Sequence, residues 1–266
     1  MTFDYKKVFE QAQKSLIEYG MQRRTLEQIN AYLGTYKSVT RQELTDDDYF
    51  AELVKVVFYS GFRAATVNAR IDIIHRWLPD CPTVAGYGED QVTAAMADDK
   101  MIRNERKIRA CIKNAKTMIE LARVHGSFAK YLGSLEPLDT LENLLLLKEE
   151  LEARFEYLGG ITGYHFLSEL GMPVLKPDRV ICRIFHRLGL LEKEDQYLKA
   201  VIQGRKFAQA TGLPIRYIDI IFVTYGQVQT VDVGLDRGIC LNKPRCSVCG
   251  LKGFCRAYTR GEVSAN

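Results

Sequence analysis

Thirty residues, Leu158 to Arg187 (LGGITGYHFLSELGMPVLKPDRVICRIFHR), constrain the fold more than any other stretch of the chain. Gly159, Gly160 and Gly163 crowd together at its start. Glycine is used where the backbone takes positive φ or must approach another group closely. A helical segment, Tyr164 to Leu170, follows and is stopped by Gly171-Met172-Pro173. A glycine turn that opens a helix leaves backbone N–H groups unpaired. Such a nest accepts phosphate, although the same pattern also suits a plain αα-hairpin. Lys176-Pro177-Asp178 then precedes an apolar, basic helix carrying Val180, Ile181, Ile184 and Phe185 with Arg179, Arg183 and Arg187. Asp178 fits an N-cap. A carboxylate at a helix N-terminus is also held ionised by the dipole, and beside a phosphate anchor it suits cationic sugar chemistry on DNA.

These residues resemble the helix-hairpin-helix DNA glycosylase superfamily, which includes endonuclease III. Leu158-Gly159-Gly160-Ile161-Thr162 stands in for that family's Leu-Pro-Gly-Val-Gly hairpin, and Asp178, twenty residues after Leu158, falls on its catalytic aspartate. The resemblance continues through Arg183 and Arg187. Gly159 replaces the family's proline and Thr162 its second glycine, which implies a looser or differently shaped clamp. Gly160, Thr162 and Gly163 are the DNA-binding residues that the resemblance implies. Tyr164 holds the position of the lyase lysine of the endonuclease III lineage, and it is expected either to line the base pocket or to pack within its helix. A phenol forms no Schiff base with a sugar, so hydrolysis without strand cleavage is expected. Lys176, nearby in sequence, keeps a weak lyase activity open.

Cys240, Cys246, Cys249 and Cys255 form C-x5-C-x2-C-x5-C. Two separate zinc knuckles would need two C-x2-C pairs. A single C-x2-C flanked on both sides suits a [4Fe-4S] cubane, with one zinc as the alternative. Endonuclease III relatives carry C-x6-C-x2-C-x5-C at this place, with a lead-in similar to Lys243-Pro244-Arg245-Cys246. Between Arg237 and Arg260 every charged residue is basic. Part of that charge balances a thiolate cluster, while Lys243 and Arg245 are expected to reach DNA phosphates and steepen the salt dependence of binding. Cys81, Cys111 and Cys182 are expected in the core.

The rest of the chain reads as helices. Residues 1 to 45 form a helical extension with Phe3, Val8, Phe9 and Leu16 as buried positions. Asp46-Asp47-Asp48 starts an amphipathic helix (Phe50, Leu53, Val54, Val57, Phe58) that ends at Ser60-Gly61. A second helix spans Ala64 to Trp77, with Val67, Ile71, Ile74 and Trp77 inward. By resemblance the link Ser60-Gly61-Phe62-Arg63 is the endonuclease III loop that enters the duplex. Phe62 or Arg63 would then fill the gap left by an extruded base; the alternative is that Phe62 is core. Asp80-Cys81-Pro82-Thr83 reads as a turn and Tyr87 to Met96 as a short helix. Ile102 to Arg123 is a long basic helix with Ile108, Cys111, Ile112, Ala115, Ile119 and Ala122 on one side and a solvated charged face. Its Ile-Arg-Asn-x-x-Lys-Ile pattern is similar to 3-methyladenine DNA glycosylase I. That enzyme's zinc-binding cysteines and histidines are not evident, and its active-site glutamate falls on Ser60, so its base-binding chemistry is not carried over. Helices at Phe128 to Tyr131, Thr140 to Tyr157, Asp195 to Thr211 and Pro214 to Tyr225 follow, then an extended segment at Gln227 to Val233.

The expected class is all-α: a two-lobed helix-hairpin-helix DNA glycosylase fold with a C-terminal iron–sulfur cluster loop. One lobe is 46–170, the other 1–45 plus 171–266, with a DNA groove between them. A net charge of +4 permits nucleic-acid binding. No apolar run is long enough for a membrane span, and the N-terminus lacks a secretory core. A monomer in the cytoplasm, nucleoid-associated in a bacterium, is expected. The expected function is monofunctional base-excision repair: Asp178 drives hydrolysis of the N-glycosidic bond of a flipped base in double-stranded DNA, an alkylated purine such as 3-methyladenine. A uracil or thymine mismatch glycosylase and a non-catalytic iron–sulfur DNA-binding protein are the alternatives.

Overall fold

A computed structural model describes residues 3–37, 44–228 and 231–264. The chain forms two compact units, one of Met1–Thr40 with Pro173–Asn266 and one of Arg41–Met172.

The discontinuous unit begins with α1 (Tyr5–Gly20), capped by Asp4, and α2 (Leu26–Gly34), closed at its start by a Thr25/Gln28 capping box. Val8, Phe9 and Leu16 are fully buried and Phe3 is half-buried. The stretch is therefore part of the core and not an appendage. Positions 38–43 of the expected extension lie outside the described residues.

The continuous unit opens with α3 (Asp46–Tyr59), whose Thr45/Asp48 capping box joins the three acids in answering the exposed first-turn amides. Two of those acids also tie loops: Asp46 accepts from the Phe128 amide at 2.9 Å and Asp47 from the Cys81 amide at 3.2 Å. The helix expected over Ala64–Trp77 is two helices, α4 (Ala64–Asn68) and α5 (Ile71–Trp77). Arg70, at φ −129° and ψ 8°, interrupts it, because its carbonyl restarts the ladder to the Ile73 and Ile74 amides. Val67 and Ile74 are buried as expected, whereas Ile71 and Trp77 are half-exposed. The expected turn at Asp80 is instead α6 (Cys81–Ala85). Asp80 caps it and Pro82 occupies the first turn, where no amide is needed. After α7 (Glu89–Ala97) comes α8 (Glu105–His125), which packs on α3, α6, α7 and α9 (Phe128–Gly133). Its inner face holds Ile108, Cys111, Ile112 and Ala115 as expected, but Ile119 is exposed, and Lys107, Asn114, Met118 and Leu121 are buried.

α10 (Leu141–Arg154) buries Leu144, Leu147 and Leu151 and leads to the glycine turn and α11 (Ile161–Glu169), which packs on α3 and α10. α11 starts three residues earlier than its sequence suggests. Fully buried Asn114 fixes the approach to that turn, donating to the Glu156 carbonyl at 3.0 Å and accepting from the Glu156 amide at 2.8 Å.

The chain returns to the first unit with α12 (Arg179–Leu188), α13 (Tyr197–Thr211) and α14 (Ile215–Gly226), all packed together, with α1 against α13 and α14. Their shared core is aromatic: Phe185, Phe207 and Phe222 lie 4.9–5.5 Å apart by ring centroid, and Phe9 reaches Phe222 at 5.9 Å. Each such side chain contributes about 2–3 kcal/mol by burial. A short α15 (Arg256–Thr259) packs on α12. The described part of Gln227–Val233 ends in a 3-10 turn, Val231–Val233, not an extended strand, while residues 229–230 lie outside the described part. The described residues form no strand ladder, and none of their helices is long and apolar enough to cross a membrane.

Candidate functional site

The hairpin keeps its glycines for two different reasons. Gly160 takes φ 57° and ψ −119° as the N-cap of α11, a conformation closed to L side chains. At Gly163 a Cβ would stand 2.7 Å from the Leu158 carbonyl oxygen, so the helix and the turn meet backbone to backbone. Two amides of this nest have partners in the chain itself. Gly160 N–H donates to Glu152 Oε1 at 3.1 Å. The Thr162 amide and hydroxyl both donate to the Gly159 carbonyl, at 3.2 and 2.6 Å. The Lys148 ammonium, with help from the Gly160 amide, holds the Glu152 carboxyl below the usual carboxylate range. Tyr164 is buried between α11 and α10, its ring centroid 5.8 Å from Lys148 Nζ, and burial raises its phenol.

The loop after α3 is stated by Ser60, the C-cap, and Gly61 at φ 78°. Phe62 is 37% exposed, so it is not core. Arg63 is exposed and starts α4 without a side-chain cap bond. A lysine of the basic helix α8 stands behind this loop. Lys107 is 3% exposed. Its ammonium donates to the carbonyls of Val57 and of Ser60, the latter at 2.7 Å. It also lies 4.4 Å from the Tyr157 ring centroid and 5.7 Å from that of Phe62. Two sequence signals point to it: it is the Lys of the Ile-Arg-Asn-x-x-Lys-Ile pattern, and it precedes Ile108 on the buried flank of α8.

Burial pushes the Lys107 ammonium down from 10.5 to about 8. Between those values the unfolded chain binds the proton and the folded chain does not, so stability rises with pH across that window. Denaturant melts at pH 7, 8, 9 and 10 are expected to show this rise in the wild type and a flatter profile in Lys107→Met. Parallel profiles would place the titration elsewhere.

In the other unit, Asp178 caps α12. Its Oδ1 accepts from the Val180 and Ile181 amides at 2.8 and 3.0 Å. Oδ2 accepts no hydrogen bond among the described residues, and the side chain is half-buried. One oxygen thus fixes the carboxylate, and the other is not engaged by any described residue. Lys176 is half-buried, and its carbonyl accepts the Asp178 amide at 2.8 Å.

The two arginines beyond Asp178 hold the cysteine loop. Arg183 donates to the Gly226 carbonyl at 2.7 Å, to the Cys240 carbonyl at 3.1 and 3.2 Å, and to Asn242 Oδ1 at 3.0 Å. Arg187 donates to the Leu241 and Asn242 carbonyls at 2.5 and 2.9 Å and to Cys240 Sγ at 3.3 Å. Cys240 and Cys246 are buried, and Cys249 and Cys255 are half-buried. The Tyr225 hydroxyl lies 3.2 Å from Cys249 Sγ. Burial pushes the Cys249 thiol up to about 11 and raises those of Cys246 and Cys255. No three cysteine, histidine or acidic side chains among the described residues stand in a metal-holding arrangement. Lys243 is exposed, while Arg245 is half-buried and stacks 4.5 Å from the Tyr19 ring centroid. Cys81, Cys111 and Cys182 are buried, as expected.

Against known proteins, a family model described as methyladenine glycosylase matches residues 39–156, a span that includes α3 to α10 and the Phe62 loop. Solved structures with a similar arrangement include a 3-methyladenine DNA glycosylase I at 21% identity, covering 48% of this chain and 80% of that one, with a TM-score of 0.43. Another is the 3-methyladenine DNA glycosylase I of Staphylococcus aureus, at 20% identity, 53% and 84% coverage and a TM-score of 0.44. At such TM-scores no chemistry transfers from them.

Proposed function

We propose that this chain is a DNA glycosylase that removes an alkylated purine, 3-methyladenine first among them, by hydrolysis. The observation that carries the reading is the methyladenine glycosylase match over residues 39–156. It covers the segment in which the Ile-Arg-Asn-x-x-Lys-Ile motif stands. A base inside a duplex is out of reach, so such an enzyme turns the nucleotide out of the stack. Phe62, apolar and exposed on a glycine-hinged loop, takes the vacated space, with Arg63 beside it as the second candidate. Breaking the N-glycosidic bond leaves positive charge on the sugar. Asp178 stabilises that charge through its unengaged oxygen and orients or deprotonates the attacking water.

Phosphate contacts fall to exposed Lys243, with Arg245 next to it, and to the turn of Gly160, Thr162 and Gly163. The last requires phosphate to displace the Glu152 carboxylate from the Gly160 amide. Cys240, Cys246, Cys249 and Cys255 would hold a [4Fe-4S] cluster. In composition the donor set suits it: four sulfurs and no acid in the loop. Bound there, the cluster supplies a crosslink that orders the loop and carries no step of base release. The enzyme works as a monomer on DNA in the cytoplasm.

The reading is tested on a panel of duplexes, each with one altered base: 3-methyladenine, uracil, or thymine opposite guanine. Abasic sites are scored after incubation with the wild type. Release confined to the alkylated purine supports the assignment, and release of only uracil or mismatched thymine replaces the substrate. Binding without release on every duplex favours a non-catalytic DNA-binding protein.

With Tyr164 at the lyase position, borohydride reduction on abasic DNA is expected to trap no covalent complex. A trapped complex abolished by Lys176→Ala would instead give this chain a lyase lysine.

A further inference from the structure

Lys107 has no place in the chemistry above, yet its side chain is buried. An ammonium buried with no carboxylate facing it among the described residues is desolvated without a counter-charge. Its compensation is local. The Val57 and Ser60 carbonyls lie at the negative end of α3 and accept two of its protons, and the rings of Tyr157 and Phe62 offer their faces. An apolar side chain of similar length would fill this space at lower cost. What only the cation does is join three segments: the end of α3, the exposed ring of Phe62, and Tyr157, next to the hairpin.

Two further features mark the join as a position held under tension. Tyr157 sits at φ 64°, a left-handed conformation that is strained for a non-glycine residue. The Phe62 loop has little else to hold it. Its amide makes one long bond to the Tyr59 carbonyl, at 3.3 Å, and a Cβ at Gly61 would meet nothing within 4 Å.

We propose that Lys107 is a positioning residue that presets Phe62 for insertion into duplex DNA and ties that loop to Tyr157 at the foot of the hairpin. The proposal rests on the DNA reading given above. Lys107 touches neither base nor sugar; it acts through Phe62.

The test has one arm without DNA and one with it. In the free protein, hydrogen exchange at the Phe62 and Arg63 amides is compared between wild type and Lys107→Met. The substitution keeps side-chain length, so the melting temperature is expected to stay within a few degrees or rise, while loop exchange quickens at least tenfold. On DNA, a duplex with 2-aminopurine beside the lesion reports extrusion. Lys107→Met and Phe62→Ala are each expected to lower the extrusion signal about tenfold, and the double variant no further than Phe62→Ala alone. Unchanged loop exchange in Lys107→Met overturns the proposal whatever the DNA arm shows. Multiplied losses in the double variant overturn it too, since Lys107 would then act independently of Phe62. A wild type that extrudes no base sinks the DNA reading and with it the purpose assigned here, while the exchange arm still decides whether Lys107 holds the loop.

Discussion

Asp178→Asn is expected to slow base release about a thousandfold and to leave the melting temperature nearly unchanged. The two halves of that expectation come from two oxygens. Oδ1 is spent on the Val180 and Ile181 amides, and asparagine caps a helix about as well as aspartate. The substitution therefore keeps the fold of α12 and removes the charge. A carboxylate about 4 Å from a cationic sugar, at an effective dielectric near 20, contributes on the order of 4 kcal/mol, which is roughly a thousandfold in rate. Asp178→Ala loses the cap as well and is expected to cost about 1 kcal/mol in stability. Single-turnover release and thermal melts on both variants separate the two roles. Equal rates for wild type and Asp178→Asn would remove this residue from the mechanism and leave it a helix cap.

The second large effect concerns the cysteine loop. Cys246→Ser is expected to abolish bound iron and to lower the melting temperature by about 10 °C, the size of a ~3 kcal/mol loss in a chain of this length. The loop has few elements of its own, only two 3-10 turns and α15. It is held from outside by Arg183 and Arg187 on α12 and by the Tyr225 carbonyl, which accepts the Ile239 and Cys240 amides at 2.7 and 2.8 Å. A four-way crosslink at the sulfurs would complete what those bonds begin. Metal analysis of the wild type is expected to give about four irons per chain, with a brown colour. One zinc per chain would replace the cubane, and no metal in protein purified without air would leave the cysteines as a packed, reduced loop.

Much of the helical frame was legible because it is written in local chemistry. Asp178 is a cap whose side chain meets its own helix's amides, and Asp46-Asp47-Asp48 begin α3; local contacts of this kind are visible in sequence. The failures share a different cause. The break at Arg70 leaves the apolar period of residues 64–77 almost intact, so periodicity could not reveal it. Asp80 and Pro82 read as a turn because the same residue types start helices. Lys107 is legible as the Lys of the Ile-Arg-Asn-x-x-Lys-Ile pattern but its burial is not, because charge on a basic helix is ordinarily solvated and its compensation comes from residues about fifty positions away in either direction. The glycine turn was recognised, but not the Glu152 carboxylate on its Gly160 amide, a contact made across the α10–α11 packing. Arg183 and Arg187 stood out in sequence as neighbours of Asp178, and only the fold shows them bound to the cysteine loop.

The most direct measurement is chromatography of the free bases released when excess wild-type protein meets a duplex alkylated to contain 3-methyladenine. Free 3-methyladenine, released in step with new abasic sites and without strand breaks, is the predicted result. Bound, unaltered DNA from which no base is released, from this duplex or any other of the panel, would contradict the account.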